Sequence, residues 1–359
     1  MTTAIQSTAQ LGQSIWYDQL NRSILESGEL KRMIQEDGLL GMTTNPSIFE
    51  KSISSGKEYE SSLKTFAEDG KLALEIYEKL VLEDVSRAAD IFRPVYETTN
   101  GKDGYVSIEV NPELAHDTNG TVSEAKRLFS TLKRPNIMIK VPATPEGLPA
   151  IEELIFSGIN VNVTLIFSIE VYEKVADAYI NGITRRISKK KPVDKIHSVA
   201  SFFVSRIDTA IDKIIESKNI LSELRGKSAV ANARLAYAKF KSIFGSDNFK
   251  RLGANLQRPL WASTGTKNPN YSDVKYVEEL IGEDTVNTIP PATYKAFLDH
   301  GKVKLSIENN LEEMKTVIAQ LNQEGINIEE VTAQLAKGGV NAFVDSFKNL
   351  ISIIEKAIK

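Results

Sequence analysis

Apolar positions in this chain follow two rhythms that take turns along its length. Short β-prone apolar runs cover residues 14–18, 39–44, 105–110, 137–141, 162–167, 198–204, 258–263 and 285–289. Each is bounded by a turn former, a charge or a proline, which predicts eight strands. Between them, apolar residues recur at three- and four-residue spacing, as in Leu72, Ile76, Leu80, Val81, Val85 and Ala88. That period predicts helices over 19–36, 47–93, 121–133, 147–156, 169–187, 208–215 and 229–244, with 311–321 and 340–358 at the C-terminal end. Residues 4–13 read as a short helix or ordered arm.

Strands that alternate regularly with helices predict a parallel sheet, and eight of them predict an α/β fold of the (β/α)8 TIM-barrel type. The chain has 359 residues, more than the roughly 250 such a barrel needs. The surplus is helical and lies early, between the sixth and seventh strands, and at the C-terminus. No low-complexity linker divides the chain. It therefore reads as a single domain, 1–359, with helical decorations that include a C-terminal segment of about 303–359.

In such a barrel the reactive side chains sit at the C-terminal ends of the strands. Asp18, Asn45, Glu109, Lys140, Thr164, Arg206 and Ser263 all fall there. Lys140 stands out within Ile137-Met138-Ile139-Lys140-Val141-Pro142. Burial disfavours an ammonium, so a lysine in an apolar run can lose its proton and attack a carbonyl. The plain alternative is a lysine whose stem lies along the strand end while its head reaches water. Two nearby carboxylates can likewise be salt-bridge partners, Asn45-Pro46 a turn or helix cap, and Arg206 a surface ion-pair residue.

Composition narrows the chemistry. With no cysteine there is no disulfide, thiolate nucleophile or thiolate metal site, and His116, His197 and His300 form no metal-binding pair. The three histidines read as surface or structural residues. A net charge of -3, with 42% hydrophobic and 25% charged residues, offers no field for nucleic acid or an anionic membrane. No run reaches the length of a membrane span, the first residues do not form a secretory signal, and a cytoplasmic location is the default. Gly226-Lys227-Ser228 resembles the end of a phosphate loop, but Leu221 occupies the place of its first glycine. The basic run Lys189-Lys190-Lys191 reads as a solvated helix end.

Two stretches carry a resemblance. Gly41-Met42-Thr43-Thr44-Asn45-Pro46-Ser47-Ile48-Phe49 and Ile137-Met138-Ile139-Lys140-Val141-Pro142-Ala143-Thr144-Pro145-Glu146-Gly147-Leu148 resemble the two signatures of the transaldolases, especially the longer bacterial forms. Met42 departs from the family's usual smaller or aliphatic choice. The resemblance implies a class I aldolase barrel with no metal or organic cofactor, acting on sugar phosphates. It implies that Lys140 forms a Schiff base and that Asp18 takes and returns the C4 hydroxyl proton. Glu109 and Thr164, through a water, would move protons during imine formation and hydrolysis. It further implies substrate contacts from Thr43, Asn45, Asn162 and Ser201, with Arg206 and Ser263 at the phosphate. Where shorter transaldolases carry another arginine after that serine, this chain reads Thr264-Gly265-Thr266-Lys267, and Lys267 is the candidate replacement. Phe203 stands where related fructose-6-phosphate aldolases carry a tyrosine, which favours transfer over release of the three-carbon unit. A dihydroxyacetone-releasing aldolase and a silent sugar-phosphate-binding barrel are the competing readings. Oligomeric state is left open, a homodimer included.

Overall fold

Apolar runs that are β-prone on both faces must be covered on both, and here they are. The computed structural model describes residues 2–55, 57–220 and 222–358. Its strands are β1 Gln13–Asp18, β2 Gly41–Thr43, β3 Val106–Glu109, β4 Ile137–Pro142, β5 Val161–Ile166, β6 Ser198–Phe203, β7 Gln257–Ala262 and β8 Thr285–Ile289. They pair in chain order, all parallel, and β8 closes on β1. This is the (β/α)8 TIM barrel that the alternation predicts, with extra helices. β4, β5, β6 and β7 are buried along their whole length, as expected of a parallel sheet wrapped by helices. Gly41 is needed at the start of β2: a Cβ there would lie 2.6 Å from the ring of the fully buried Trp16.

The helices Thr118–Leu132, Gly147–Ser157, Ile169–Ser188, Ser205–Lys218, Ser228–Phe244 and Pro291–His300 surround the strands. The last was not predicted, although a proline at its first position is a good start signal. The predicted 19–36 helix is instead three short pieces, Arg22–Glu26, Glu29–Arg32 and a π turn at Met33–Asp37. Gly28, at φ 79°, separates the first two. The predicted 47–93 helix is also divided, into Pro46–Ser55, Glu60–Glu68 and Ala73–Thr98, with Gly70 at φ 72° before the long one. Among the described residues no helix is long and apolar enough to cross a membrane.

At the N-terminal end of the barrel Arg258 and Asp103 form a buried ion pair at 3.1 Å. Ser14 and the Trp16 indole nitrogen both donate to Asp103. A buried network at this end serves the stability of the barrel rather than its chemistry. His197 packs beside it, 5.8 Å from the Tyr105 ring, while His116 and His300 are exposed and paired with Glu146 and Asp273. His197 is thus part of the packing at the N-terminal end, and His116 and His300 are surface ion-pair residues. The Gly226-Lys227-Ser228 turn is no phosphate cradle: Asp212 accepts from the Gly226 N–H and Asp208 from the Ala229 N–H. Leu221 lies outside the described residues. Lys189, Lys190 and Lys191 are exposed at a helix end, as predicted.

The C-terminal helix is longer than predicted, running from Ile328 to Ala357 without a break at Gly338-Gly339. Phe343, Phe347, Leu350 and Ile354 form its buried stripe. A Cβ on Gly339 would meet Leu165 at 2.8 Å, so the glycine lets the helix lie close against the end of β5. The Ser346 hydroxyl meets Ser47 at 2.7 Å, and the Phe347 ring packs edge-on against Tyr77. These contacts draw the helix across the mouth of the barrel.

Candidate active site

Parallel register brings three strand ends into line. Glu109 of β3 pairs with Lys140 of β4, and Lys140 pairs with Asn162 of β5. Lys140 is only 5% exposed. Its Nζ lies 2.6 Å from Glu109 Oε1 and donates to the Thr44 carbonyl at 2.8 Å. Moving one proton along the Lys140–Glu109 contact converts an ion pair into a neutral amine and a carboxylic acid. Burial pushes the Glu109 carboxyl above the ordinary carboxylate range, and the Lys140 charge opposes that shift. Lys140 is therefore not a lysine reaching for solvent.

A cavity of about 300 Å³ opens beside this pair at the C-terminal ends of the strands. Asp18, Thr43, Asn45, Lys140, Thr164, Ser201, Phe203, Arg206, Ser263 and Lys267 all line it. Asp18, at the end of β1, accepts a hydrogen bond from Thr43 at 2.7 Å. The Thr43 hydroxyl also meets Thr288 at 2.6 Å. Because Thr43 spends its one proton on Asp18, Thr288 is the donor of that second bond. Burial raises the Asp18 pKa most strongly, while Lys140, the Thr43 hydrogen bond, Lys267 and Arg206 act against it. Both carboxylates of the site are thus biased toward holding a proton.

Two predicted residues stand apart from the cavity wall. Glu109 borders small clefts beneath the helices and touches the site through Lys140. Asn162 is fully buried, its amide donating to Ser107 at 3.0 Å and accepting from Ser201 at 2.6 Å. Ser201, which does line the cavity, is held in place by that bond. Asn45 does two things: its side chain caps Ile48 N at 3.0 Å, the bland role foreseen for an Asn-Pro pair, and it also faces the cavity.

Local backbone irregularity clusters here. The β5–β6 register shifts between Val163 and Ile166, with Leu165 at φ 61°, directly after Thr164. Ser263, just past β7, is also left-handed at φ 54° and meets the Ser205 hydroxyl at 3.0 Å. Thr164 Oγ1 is buried and has no hydrogen-bond partner among the described residues. The Arg206 guanidinium lies 5.3 Å from the centre of the Phe203 ring, which supports it from one side.

A sequence model of the transaldolase/fructose-6-phosphate aldolase family matches residues 15–354. The chain belongs to that family. It is 49% identical over 374 residues to a transaldolase of Trichodesmium erythraeum, covering 100% of this chain and 98% of that protein. A transaldolase 2 of Nostoc punctiforme is 46% identical over 376 residues, with the same coverage. A transaldolase 2 of Streptomyces coelicolor is 47% identical over 365 residues, again covering 100% of this chain and 98% of the relative. The family is one of enzymes, and the relatives are named for a transferase activity.

Several residues lining this transaldolase-family cavity escaped the sequence reading: Gln19, Ser47, Lys51, Thr288, Pro290 and Phe343. Thr288 and Pro290 were within reach, because they close β8 and strand ends were the places to look. Lys51 lies one turn and a half into the helix after Asn45, where helical spacing from Ser47 and Ile48 points at it. Phe343 had no local signal. It arrives from the far end of the chain.

Proposed function

We propose that this protein is a transaldolase that moves a dihydroxyacetone unit between sugar phosphates through a Schiff base on Lys140. The donor is sedoheptulose 7-phosphate or fructose 6-phosphate. The acceptor is glyceraldehyde 3-phosphate or erythrose 4-phosphate, an exchange of the non-oxidative pentose phosphate pathway in the cytoplasm. One observation carries the reading: an amine 5% exposed, 2.6 Å from a carboxyl, on the wall of a cavity that also holds Asp18.

Proton transfer to Glu109 frees the Lys140 amine, which adds to the ketone carbon of the donor. Glu109, working with a water held by Thr164, gives a proton to the departing hydroxyl, which leaves as water as the imine forms. The protonated imine then serves as an electron sink. Asp18 takes the C4 hydroxyl proton, the C3–C4 bond breaks, and its electron pair moves into the imine while the aldehyde leaves. An acceptor aldehyde enters, the new bond forms, and Asp18 returns the proton to the new hydroxyl. Water then releases the product ketose.

Asn45, Asn162 and Ser201 hold the hydroxyls of the three-carbon unit in this reading, Asn162 by fixing Ser201. Arg206, Ser263 and Lys267 receive the phosphate, where guanidinium suits a multi-oxygen anion. Phe203 faces the same cavity with no hydroxyl to protonate the carbanion, so the unit waits for an acceptor. The test is reduction with borohydride in the presence of fructose 6-phosphate, followed by peptide mapping. The adduct is expected on Lys140, and turnover with Lys140 unmodified overturns the mechanism. Free dihydroxyacetone accumulating without acceptor would reassign the enzyme to the aldolase side of the family.

A further inference from the structure

The helix Pro46–Ser55 starts at the mouth of β2, with Asn45 as its cap. Ser47, Ile48 and Lys51 face the cavity together. Helical geometry explains why, since residues three and four apart share a face. Lys51 therefore approaches from the β2 side of the mouth, while Arg206 comes from the first turn of the helix after β6 and Lys267 from the loop after β7. Among the described residues no carboxylate forms an ion pair with any of these three cations, whereas Lys140 on the same wall is paired with Glu109.

Charge on the cavity wall is unbalanced as a result. Four cationic side chains line it, Lys51, Lys140, Arg206 and Lys267. Two carboxylates answer them, Asp18 on the wall and Glu109 against Lys140. The formal excess is two positive charges, and proton exchange between Lys140 and Glu109 does not alter it. A phosphate monoester carries about −1.5 to −2 at neutral pH, so a single one balances the excess. Without Lys51, the remaining cations fall one charge short.

We infer that Lys51 is a phosphate-contacting, specificity-determining residue, gripping the sugar's terminal phosphate opposite Arg206 and Lys267. The identity of the sugar rests on the transaldolase reading above; the anion site does not. Lys51 stands in for part of the charge that a second arginine after Ser263 would provide. An ammonium is a flexible point charge, so it adds affinity for phosphate with less geometric demand than a guanidinium fork.

Titration calorimetry with inorganic phosphate at fixed ionic strength tests the site directly, and steady-state transfer from fructose 6-phosphate and from unphosphorylated fructose tests its use. Lys51→Met is expected to weaken phosphate binding by about tenfold or more, the scale of one charge-assisted hydrogen bond. The KM for fructose 6-phosphate should rise by a similar factor with kcat little changed, and the preference for phosphorylated donor should shrink accordingly. Lys51→Arg should recover most of the loss. Lys57→Met is the control: Lys57 lies in the neighbouring groove but not on this cavity, and its loss should leave phosphate affinity as in wild type. Phosphate affinity unchanged in Lys51→Met, or lowered equally in Lys57→Met, overturns the inference while a transferring wild-type enzyme leaves the transaldolase reading intact. Phosphate binding that depends on Lys51 in a wild type that turns over no ketose phosphate supports the site and overturns that reading instead.

Discussion

Removing one member of the Lys140–Glu109 pair should cost more than removing both. Their charged atoms are 2.6 Å apart and their side chains 6% and 9% exposed. Glu109→Gln keeps the shape of the side chain but deprives the buried ammonium of its counter-charge. Breaking a buried pair in this way costs about 3–5 kcal/mol. The Thr44 carbonyl still accepts from Lys140, which places the expected loss near the lower end, about 3 kcal/mol. Lys140→Met should cost less, about 1–2 kcal/mol, because Glu109 is already biased by burial toward its neutral form and can take up a proton. The double variant holds two neutral side chains of similar volume, and replacing a buried pair outright is often close to neutral. A coupling energy of about 4–5 kcal/mol in magnitude, the sum of the two single losses against a near-neutral double variant, is therefore expected from the cycle. Urea unfolding of the four proteins at neutral pH, followed by the fluorescence of Trp16 and Trp261, measures it. A coupling below about 0.5 kcal/mol, with the single losses simply adding, refutes the claim that these groups share one buried charge balance.

Phe343→Ala should open the cavity from the side of the C-terminal helix. The ring is 7% exposed and lines the site, so a loss of about 3–5 kcal/mol in stability is expected, together with faster hydrolytic release of dihydroxyacetone in the absence of acceptor; an unchanged release rate removes the helix from any covering role. His197 governs an acid-side stability slope. Burial, with help from Arg258, pushes its pKa down to about 4 from 6.5. The unfolded chain thus binds the proton first, and about 3 kcal/mol of stability, present above pH 6.5, drains away as pH falls through 4. His197→Gln should flatten that part of the melting-temperature curve, and an equally steep curve in the variant assigns the slope to other groups.

The strands were readable from the chain because their signal is local. A short β-prone run between turn formers, charges or prolines marks each strand, and all eight predicted runs match the observed strands within a residue or two. Helix interiors were equally readable, but their breaks were not. Gly28 and Gly70 interrupt stretches whose apolar spacing continues on either side, so periodicity alone joins what backbone conformation separates. The helix Pro291–His300 is hidden for the opposite reason: Pro290-Pro291 closes the β-prone run 285–289, and the second proline also begins a helix.

Motif residues told which side chains stand at strand ends, since a position in a strand and the parallel register suffice to line up Glu109, Lys140 and Asn162. The chain order carries that information without any knowledge of distance. Packing settled the rest. Whether Lys140 finds a carboxyl or water depends on the tilt and closure of the barrel, which no single strand encodes. The Ser47–Ser346 contact joins positions 299 apart in the chain, and Phe343 reaches the cavity by the same long return. Local pattern has no term for such encounters, because the free energy that favours them comes from covering apolar surface between elements already formed.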